Sequence, residues 1–146
     1  MLAWLKTVLL LFYMKFKRPV NRTIDYGNFN DVEYISNYDG DTIKVNIKDL
    51  HPLIGKGITI RVNGIDTPEM KGGCEKSKTM AKEAKSIVQN LLSDSKKIDL
   101  INCKRGKYFR IVADVIADNI NIGNLLLVKG LAVKYDGSTK KQDWCK

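Results

Sequence analysis

The 146 residues suffice for one folded domain with a sizeable core and leave little room for a second. There are 25 Lys and Arg against 16 Asp and Glu, a formal net charge of +9, which favours polyanionic partners such as nucleic acid or an anionic membrane surface. The single histidine, His51, excludes hydrolases that need two or more histidines to bind a metal. A hydrolytic metal site in this chain would therefore consist of oxygen ligands.

The chain opens with an apolar segment, residues 2–14, followed by the basic sequence KFKRP. This segment is shorter than the roughly 20 residues of a membrane-spanning helix, and it contains a lysine. Its length favours a secretory signal in residues 1–18, but no small-x-small cleavage site follows, so an uncleaved anchor, an interfacial helix and a helix docked on the domain stay open. Residues 19–30 are interpreted as a polar linker. We expect export or attachment to the cell envelope, with the domain in residues 31–146.

Short strands are predicted at the start of this domain. Residues 32–47 have β-branched and aromatic residues on both sides of Asp39-Gly40-Asp41, which indicates a hairpin. Residues 57–65 alternate apolar and polar side chains like a half-buried strand, with Arg61 on the face opposite the isoleucines.

One long helix and further strands are predicted after this point. Apolar residues at helical spacing mark the long helix, and Gly130 would end a shorter one. The predicted elements are a helix at 74–92, strands at 97–103 and 108–118, and a helix at 122–132. Five short strands with a helix inserted midway predict an α+β fold, a five-stranded Greek-key β-barrel of the OB type with about three helices.

Two acidic clusters follow the strand signals. The first is DGDT at 39–42, and the second is GIDTPE at 64–69, directly after the strand that carries Arg61. Carboxylates and backbone carbonyls suit a hard cation such as calcium if the fold brings the two turns together. Arg61 and Arg110 lie on separate predicted strands, and two guanidiniums beside a metal suit phosphoryl transfer. Taken singly, an Asp-Gly pair is an ordinary hairpin turn and strand arginines are usually solvated, so the order and spacing of the set carry the interpretation.

With these motifs, the chain resembles the staphylococcal nuclease (thermonuclease) family over residues 31–135. The motifs that carry the resemblance are DGDT at 39–42, RVNGIDTPE at 61–69, GKYFR at 106–110 and ADNINIGNLLLVKGLA at 117–132. The resemblance implies an OB barrel that cleaves DNA or RNA with calcium, shows little sequence preference and leaves 3′-phosphate ends. We expect such an enzyme to be a monomer, with a membrane contact through residues 1–18 if the leader is retained.

The resemblance also assigns the metal ligands and the base. Asp41 and Asp66 would bind calcium through their carboxylates, and Thr67 through its backbone carbonyl. Glu69 matches the family's glutamate that contacts the attacking water and is usually described as the general base. A water polarised by the metal needs little further help, so polarisation by the metal alone is the alternative to a base role for Glu69.

The phosphate and base contacts come from the same resemblance. Arg61 would bind the scissile phosphate and stabilise the transition state, and Arg110 would do so from the other side and assist the leaving 5′-oxygen. Lys107 and Tyr108 match positions that contact a terminal phosphate, and Tyr135 would stack on a base.

The three cysteines lack Cys-x-x-Cys spacing, so a zinc site is not expected. A disulfide between Cys74 and Cys145 would attach the basic C-terminal tail to the domain in an oxidising compartment. The alternative is three unpaired thiols, with Cys103 buried at a strand end.

Two other functions are open at this point. One is a non-catalytic OB module that binds nucleic acid, against which the complete set of candidate catalytic residues argues. The other is a membrane-attached interaction protein that acts through its basic leader. Deletion of residues 1–30 distinguishes the nuclease hypothesis from the membrane-attached one, because a nuclease keeps its activity and a leader-driven binder loses its function.

Overall fold

A computed structural model describes residues 26–146, and the predicted leader and most of the predicted linker lie outside the described residues. No helix in the described part is long and apolar enough to cross a membrane. The elements are β1 (Glu33–Asn37), β2 (Thr42–Asn46), α1 (Pro52–Gly55), β3 (Ile58–Val62), β4 (Ile65–Asp66), α2 (Glu75–Asp94), β5 (Ile98–Arg105), β6 (Ile111–Ala117), β7 (Ile120–Asn121), α3 (Ile122–Val128) and β8 (Val133–Lys134).

The main sheet is mixed and curls on itself. Its strands follow the order β1-β2-β3-β6-β5, with β7 beside β6, and β3 and β6 are parallel while the other neighbours are antiparallel. Phe29 and Leu100 of β5 exchange two backbone hydrogen bonds of 2.9 and 2.8 Å, and Val32 donates to Ile98 at 2.9 Å. The chain just ahead of β1 therefore pairs with the far edge of the sheet. This arrangement, with three helices in residues 26–146, confirms the predicted OB-type α+β fold.

The core lies inside the curl because each strand buries alternate side chains. In β3, Ile58, Ile60 and Val62 are buried while Arg61 faces the other way, as the alternation predicts. Helix α2 covers this core with a stripe of buried residues at helical spacing, namely Ala81, Ala84, Val88 and Leu92. Each fully buried Ile, Leu or Val contributes roughly 1.5–3 kcal/mol, so the strands that end at the candidate site are firmly held.

The strand predicted at 108–118 was placed too early, since β6 begins at Ile111. Tyr108 and Phe109 adopt φ angles of 56° and 60°, and the Gly106 N–H donates to the Arg110 carbonyl at 2.8 Å. These residues thus form a tight turn between β5 and β6, in which left-handed backbone conformations are normal for a hairpin. Arg110 lies at the end of this turn rather than on a strand.

Candidate active site

The two predicted acidic turns meet in one buried place. The residues of this place are buried, with exposed fractions of 4% for Asp41, 3% for Asp66 and 2% for Thr67. Asp41 Oδ2 accepts hydrogen bonds from the Thr67 N–H at 2.8 Å and from the Thr67 hydroxyl at 2.9 Å. Because Asp41 immediately precedes β2 and Asp66 belongs to β4, the two strands fix the carboxylates from both sides. We call Asp41, Asp66 and Thr67 the floor of the site.

Arg61 joins the two aspartates of the floor. Its guanidinium forms ion pairs with Asp41 and with Asp66 Oδ1, the latter at 3.1 Å, and it also donates to the Ile65 carbonyl at 3.1 Å. Burial lowers the pKa of Arg61, against the opposing charges of Asp66 and Asp39. Since one guanidinium reaches both carboxylates, Asp41 and Asp66 are close enough to share a single cation.

Asp39 and Asn37 hold the first turn in shape. Asp39 is buried and its Oδ1 accepts from the Asp41 N–H at 3.1 Å. Burial raises the pKa of Asp39, while hydrogen bonds from Thr42 partly offset that effect. Asn37 Nδ2 donates to the carbonyls of Asp39 at 2.9 Å and of Lys85 in α2 at 3.0 Å. Asn37 was not singled out from the sequence, because only its contact with the distant helix distinguishes it from any strand-end asparagine.

Gly40 lets this turn approach helix α2 closely. A Cβ atom at Gly40 would lie 2.9 Å from the Ala84 Cβ and 2.9 Å from the Thr67 Cγ2. These distances are shorter than ordinary van der Waals contacts, so the space rather than the backbone conformation requires glycine here.

The donor atoms of the floor suit a hard cation. Two buried carboxylates and the backbone carbonyl of Thr67 are oxygen ligands of the kind that calcium prefers. Within residues 26–146, no three His, Cys, Asp or Glu side chains converge as a metal-binding group. A calcium ion on this floor would therefore take most of its roughly six to eight ligands from backbone carbonyls and water.

Glu69 lies at the edge of the floor, and a lysine from the C-terminal segment contacts it. The Glu69 side chain is 60% exposed and forms an ion pair with Lys140, whose Nζ also lies 2.9 Å from Asp66 Oδ1. Burial lowers the pKa of Lys140, but the hydrogen bonds and charges of Glu69 and Asp66 outweigh it, and the pKa is raised overall. Lys140 was not predicted as a site residue. The one signal in the sequence that could have indicated it was the possible Cys74–Cys145 disulfide, which would attach the basic tail beside the 64–69 turn.

Lys107, Tyr108 and Arg110 lie together in the turn between β5 and β6. Tyr108 is 88% exposed, and the Arg110 guanidinium lies 5.8 Å from the centre of the Tyr108 ring. The Arg110 Nε donates to the Lys107 carbonyl at 3.4 Å. The positive charge of Arg110 is one of the causes that lower the pKa of Arg61. We call Lys107–Arg110 the rim of the site.

Tyr135 lines an open cleft of about 780 Å³ that borders Asp66 and Lys140. The residue directly follows β8, the strand that pairs with β4, and its N–H donates to the Gly64 carbonyl at 2.9 Å. Its hydroxyl donates to the Ser138 carbonyl at 2.5 Å. Tyr135 is thus held beside the floor, where a base of a bound strand could reach it, while stacking itself stays a prediction.

Cys74 and Cys145, the pair considered from the sequence, are joined by a disulfide with a Cα–Cα distance of 5.9 Å. Cys74 is the residue just ahead of α2, so the bridge attaches the end of the chain beside the turn that carries Glu69. Cys103 is buried in β5.

The barrel thus brings two buried carboxylates and the Arg61 guanidinium together beside an open cleft that Asp66 borders. Residues 59–145 match the family model described as staphylococcal nuclease homologue. The chain belongs to this family and carries its nuclease domain. A probable endonuclease of Schizosaccharomyces pombe is 36% identical to it over 93 residues, which are 59% of this chain and 40% of that protein. The chain therefore matches less than half the length of this relative.

Proposed function

We propose that this domain is a calcium-dependent endonuclease that hydrolyses phosphodiester bonds of DNA, RNA or both, with little sequence preference, and leaves 3′-phosphate ends. The observation that carries the proposal is the contact of Arg61 with both Asp41 and Asp66 in one buried floor. Membership in the nuclease family and the similarity to a probable endonuclease support the class of reaction.

The overall charge of +9 suits a substrate that is held mainly through its phosphates. Phosphate contacts carry no sequence information, so they are consistent with little sequence preference. Binding of such a substrate releases counterions, and we expect the affinity to fall steeply as the salt concentration rises.

The floor would hold the calcium ion through Asp41, Asp66 and the carbonyl of Thr67. When bound, calcium supplies Lewis-acid stabilisation of the phosphate and makes a coordinated water more acidic. Arg61 forms ion pairs with both aspartates. On a loaded floor its guanidinium would donate to the non-bridging oxygens of the scissile phosphate, where negative charge increases in the transition state.

The remaining steps fall to Glu69 and Arg110. Glu69 would accept a proton as the water oxygen forms its bond to phosphorus, a role that suits an exposed carboxylate beside the floor. The bond between phosphorus and the 5′-oxygen breaks, the phosphate stays on the 3′-oxygen, and the 5′-oxygen leaves and takes up a proton from solvent. Arg110 on the rim would stabilise the charge on that leaving oxygen.

The cellular location belongs to the same proposal. The Cys74–Cys145 disulfide suits an oxidising compartment, which supports export or attachment to the cell envelope through residues 1–18. The enzyme would then degrade nucleic acid outside the cytosol in a metal-dependent reaction.

The decisive experiment measures cleavage of single-stranded DNA, double-stranded DNA and RNA with calcium or with a chelator. The variants are Glu69→Gln and, as a control, Glu75→Gln, a surface carboxylate that pairs with Lys78. We expect cleavage only with calcium, a rate about 10²–10⁴-fold lower in Glu69→Gln, and an unchanged rate in the control. End-labelling of the products should detect 3′-phosphates.

Two outcomes would contradict the proposal. If the folded protein binds nucleic acid but cleaves none of the three substrates with any divalent metal, the domain is a binding module. If cleavage persists undiminished in the chelator, the reaction does not depend on the floor as a calcium site.

A further inference from the structure

The last residues of the chain cross the candidate site and are attached at both ends. We call residues 136–146 the strap. Directly before the strap, the Tyr135 N–H donates to the Gly64 carbonyl, and near its end Cys145 is bonded to Cys74. Lys76 Nζ also donates to the carbonyl of Lys146 at 2.7 Å. The strap is therefore tied to the two sides of the turn that contains Asp66 and Glu69.

Between these attachments, Lys140 contacts the carboxylates of that turn. Its ammonium group forms ion pairs with Asp66 Oδ1 at 2.9 Å and with Glu69 Oε1. Asp66 Oδ1 accepts from Arg61 as well, at 3.1 Å. The oxygen that a cation on the floor would need is thus already shared by two positive groups of the protein.

An ammonium group and a calcium ion compete for the same carboxylate oxygens. The ammonium of a free lysine competes weakly, because exposed ion pairs contribute little to stability. The disulfide changes this, because it restricts the segment that carries Lys140 to the neighbourhood of the turn and so raises the effective concentration of the ammonium group there. The Cys74–Cys145 bridge closes the chain around the very turn that Lys140 contacts.

We propose that the strap is an internal competitor of calcium: Lys140 occupies the carboxylates of Asp66 and Glu69, the disulfide holds it there, and calcium binds by displacing it. This inference rests on the proposed calcium-dependent function and names a regulation of the same site. The strap raises the calcium concentration at which the floor fills, so the enzyme would be active where calcium is abundant. Displacement also releases Glu69 from its lysine partner, which frees the carboxylate to accept a proton.

The first test is titration of the full chain with calcium chloride by isothermal calorimetry, without nucleic acid. The variant Lys140→Gln removes the charge but keeps much of the side chain, and Lys141→Gln is the matched control with the same change in net charge. We expect Lys140→Gln to bind calcium about three- to tenfold more tightly than the wild type. Lys141→Gln should differ from the wild type by less than about twofold.

The second test removes the covalent attachment with the double variant Cys74→Ser/Cys145→Ser. Serine is a favourable residue at the position ahead of a helix, so α2 should keep its start, and circular dichroism checks the fold. We expect this variant to bind calcium more tightly than the wild type by a factor similar to that of Lys140→Gln. Addition of Lys140→Gln to the double variant should then change the affinity by less than about twofold, because the two changes act on the same contact.

The outcomes separate the inference from the proposed function. If calcium binds Lys140→Gln and Lys141→Gln equally well, Lys140 is not the competitor and the inference is overturned. If Lys140→Gln binds more tightly but loss of the disulfide has no effect, the bridge does not hold the competitor in place, and that half of the inference is wrong. If no variant binds calcium at millimolar concentrations, the calcium site itself is disproved and the inference fails with it.

Discussion

The floor and the rim of the candidate site are built in opposite ways. Asp41, Asp66 and Thr67 are buried, and their side chains accept or donate several hydrogen bonds and ion pairs within the fold. Tyr108 on the rim projects into solvent from a tight turn. The fold therefore fixes the side chains of the proposed metal ligands through contacts within the protein, whereas on the rim it fixes the backbone of the turn and leaves the Tyr108 side chain in solvent.

Substitution of Arg61 and of Arg110 tests the difference between the floor and the rim most directly. We expect Arg61→Ala and Arg110→Ala each to lower kcat by about 10²–10³-fold, because each removes a proposed donor to the transition state. Only Arg61→Ala should also lower the free energy of unfolding, by about 3–5 kcal/mol, since it removes the guanidinium that pairs with two buried carboxylates. Urea unfolding without calcium measures this difference.

Arg110→Ala serves as the internal control for stability, with an expected change within about 0.5 kcal/mol. Equal free energies of unfolding for the two variants would show that the floor does not depend on the Arg61 guanidinium.

Gly40→Ala tests how tightly the floor is packed. The added Cβ would press on Thr67 and Ala84, so we expect the free energy of unfolding to fall by about 1–3 kcal/mol, with weaker calcium binding. The double variant Gly40→Ala/Thr67→Ser removes the Cγ2 in the way and keeps the hydroxyl that donates to Asp41. It should regain part of the lost stability. If it regains none, the strain in Gly40→Ala does not come from the contact with Thr67.

Tyr108→Ala, on the rim, should have the smallest effect. Its side chain is 88% exposed, so the free energy of unfolding should change by less than about 0.5 kcal/mol. Affinity for a short single-stranded DNA with a terminal phosphate should weaken by about 0.5–1.5 kcal/mol, the contribution of one hydrogen bond. Tyr108→Phe keeps the ring and loses the hydroxyl, so fluorescence anisotropy with both variants distinguishes a phosphate contact from stacking.

Much of the fold and the floor could be predicted from the sequence because their signals are local. Alternation in residues 57–65 placed Arg61 on the face opposite the core, where the structure has it. The acidic motifs follow strand signals, and neighbouring strand ends of a small barrel converge, so the meeting of Asp41 with Thr67 could be expected. The resemblance added the roles of these residues, which stay predictions.

The remaining features depend on contacts between distant residues or on backbone conformation. The strand propensity of Tyr108 and Phe109 predicted a strand where the structure has a turn. Propensity carries no information on the left-handed conformation that the hairpin imposes. Lys140 lies 71 residues from Glu69 in a segment without periodic pattern. Only the disulfide and the path of the strap bring them together.

The backbone bonds between Phe29 and Leu100 have a consequence for the behaviour of the molecule in a crowded solution. An uncovered outer strand offers free N–H and C=O groups to other chains and promotes aggregation. Here Phe29 and Val32 occupy that edge of β5. Removal of the chain ahead of Asp31 would uncover part of β5, so we expect it to promote self-association of the domain, although the composition of residues 19–30 predicts only a linker there.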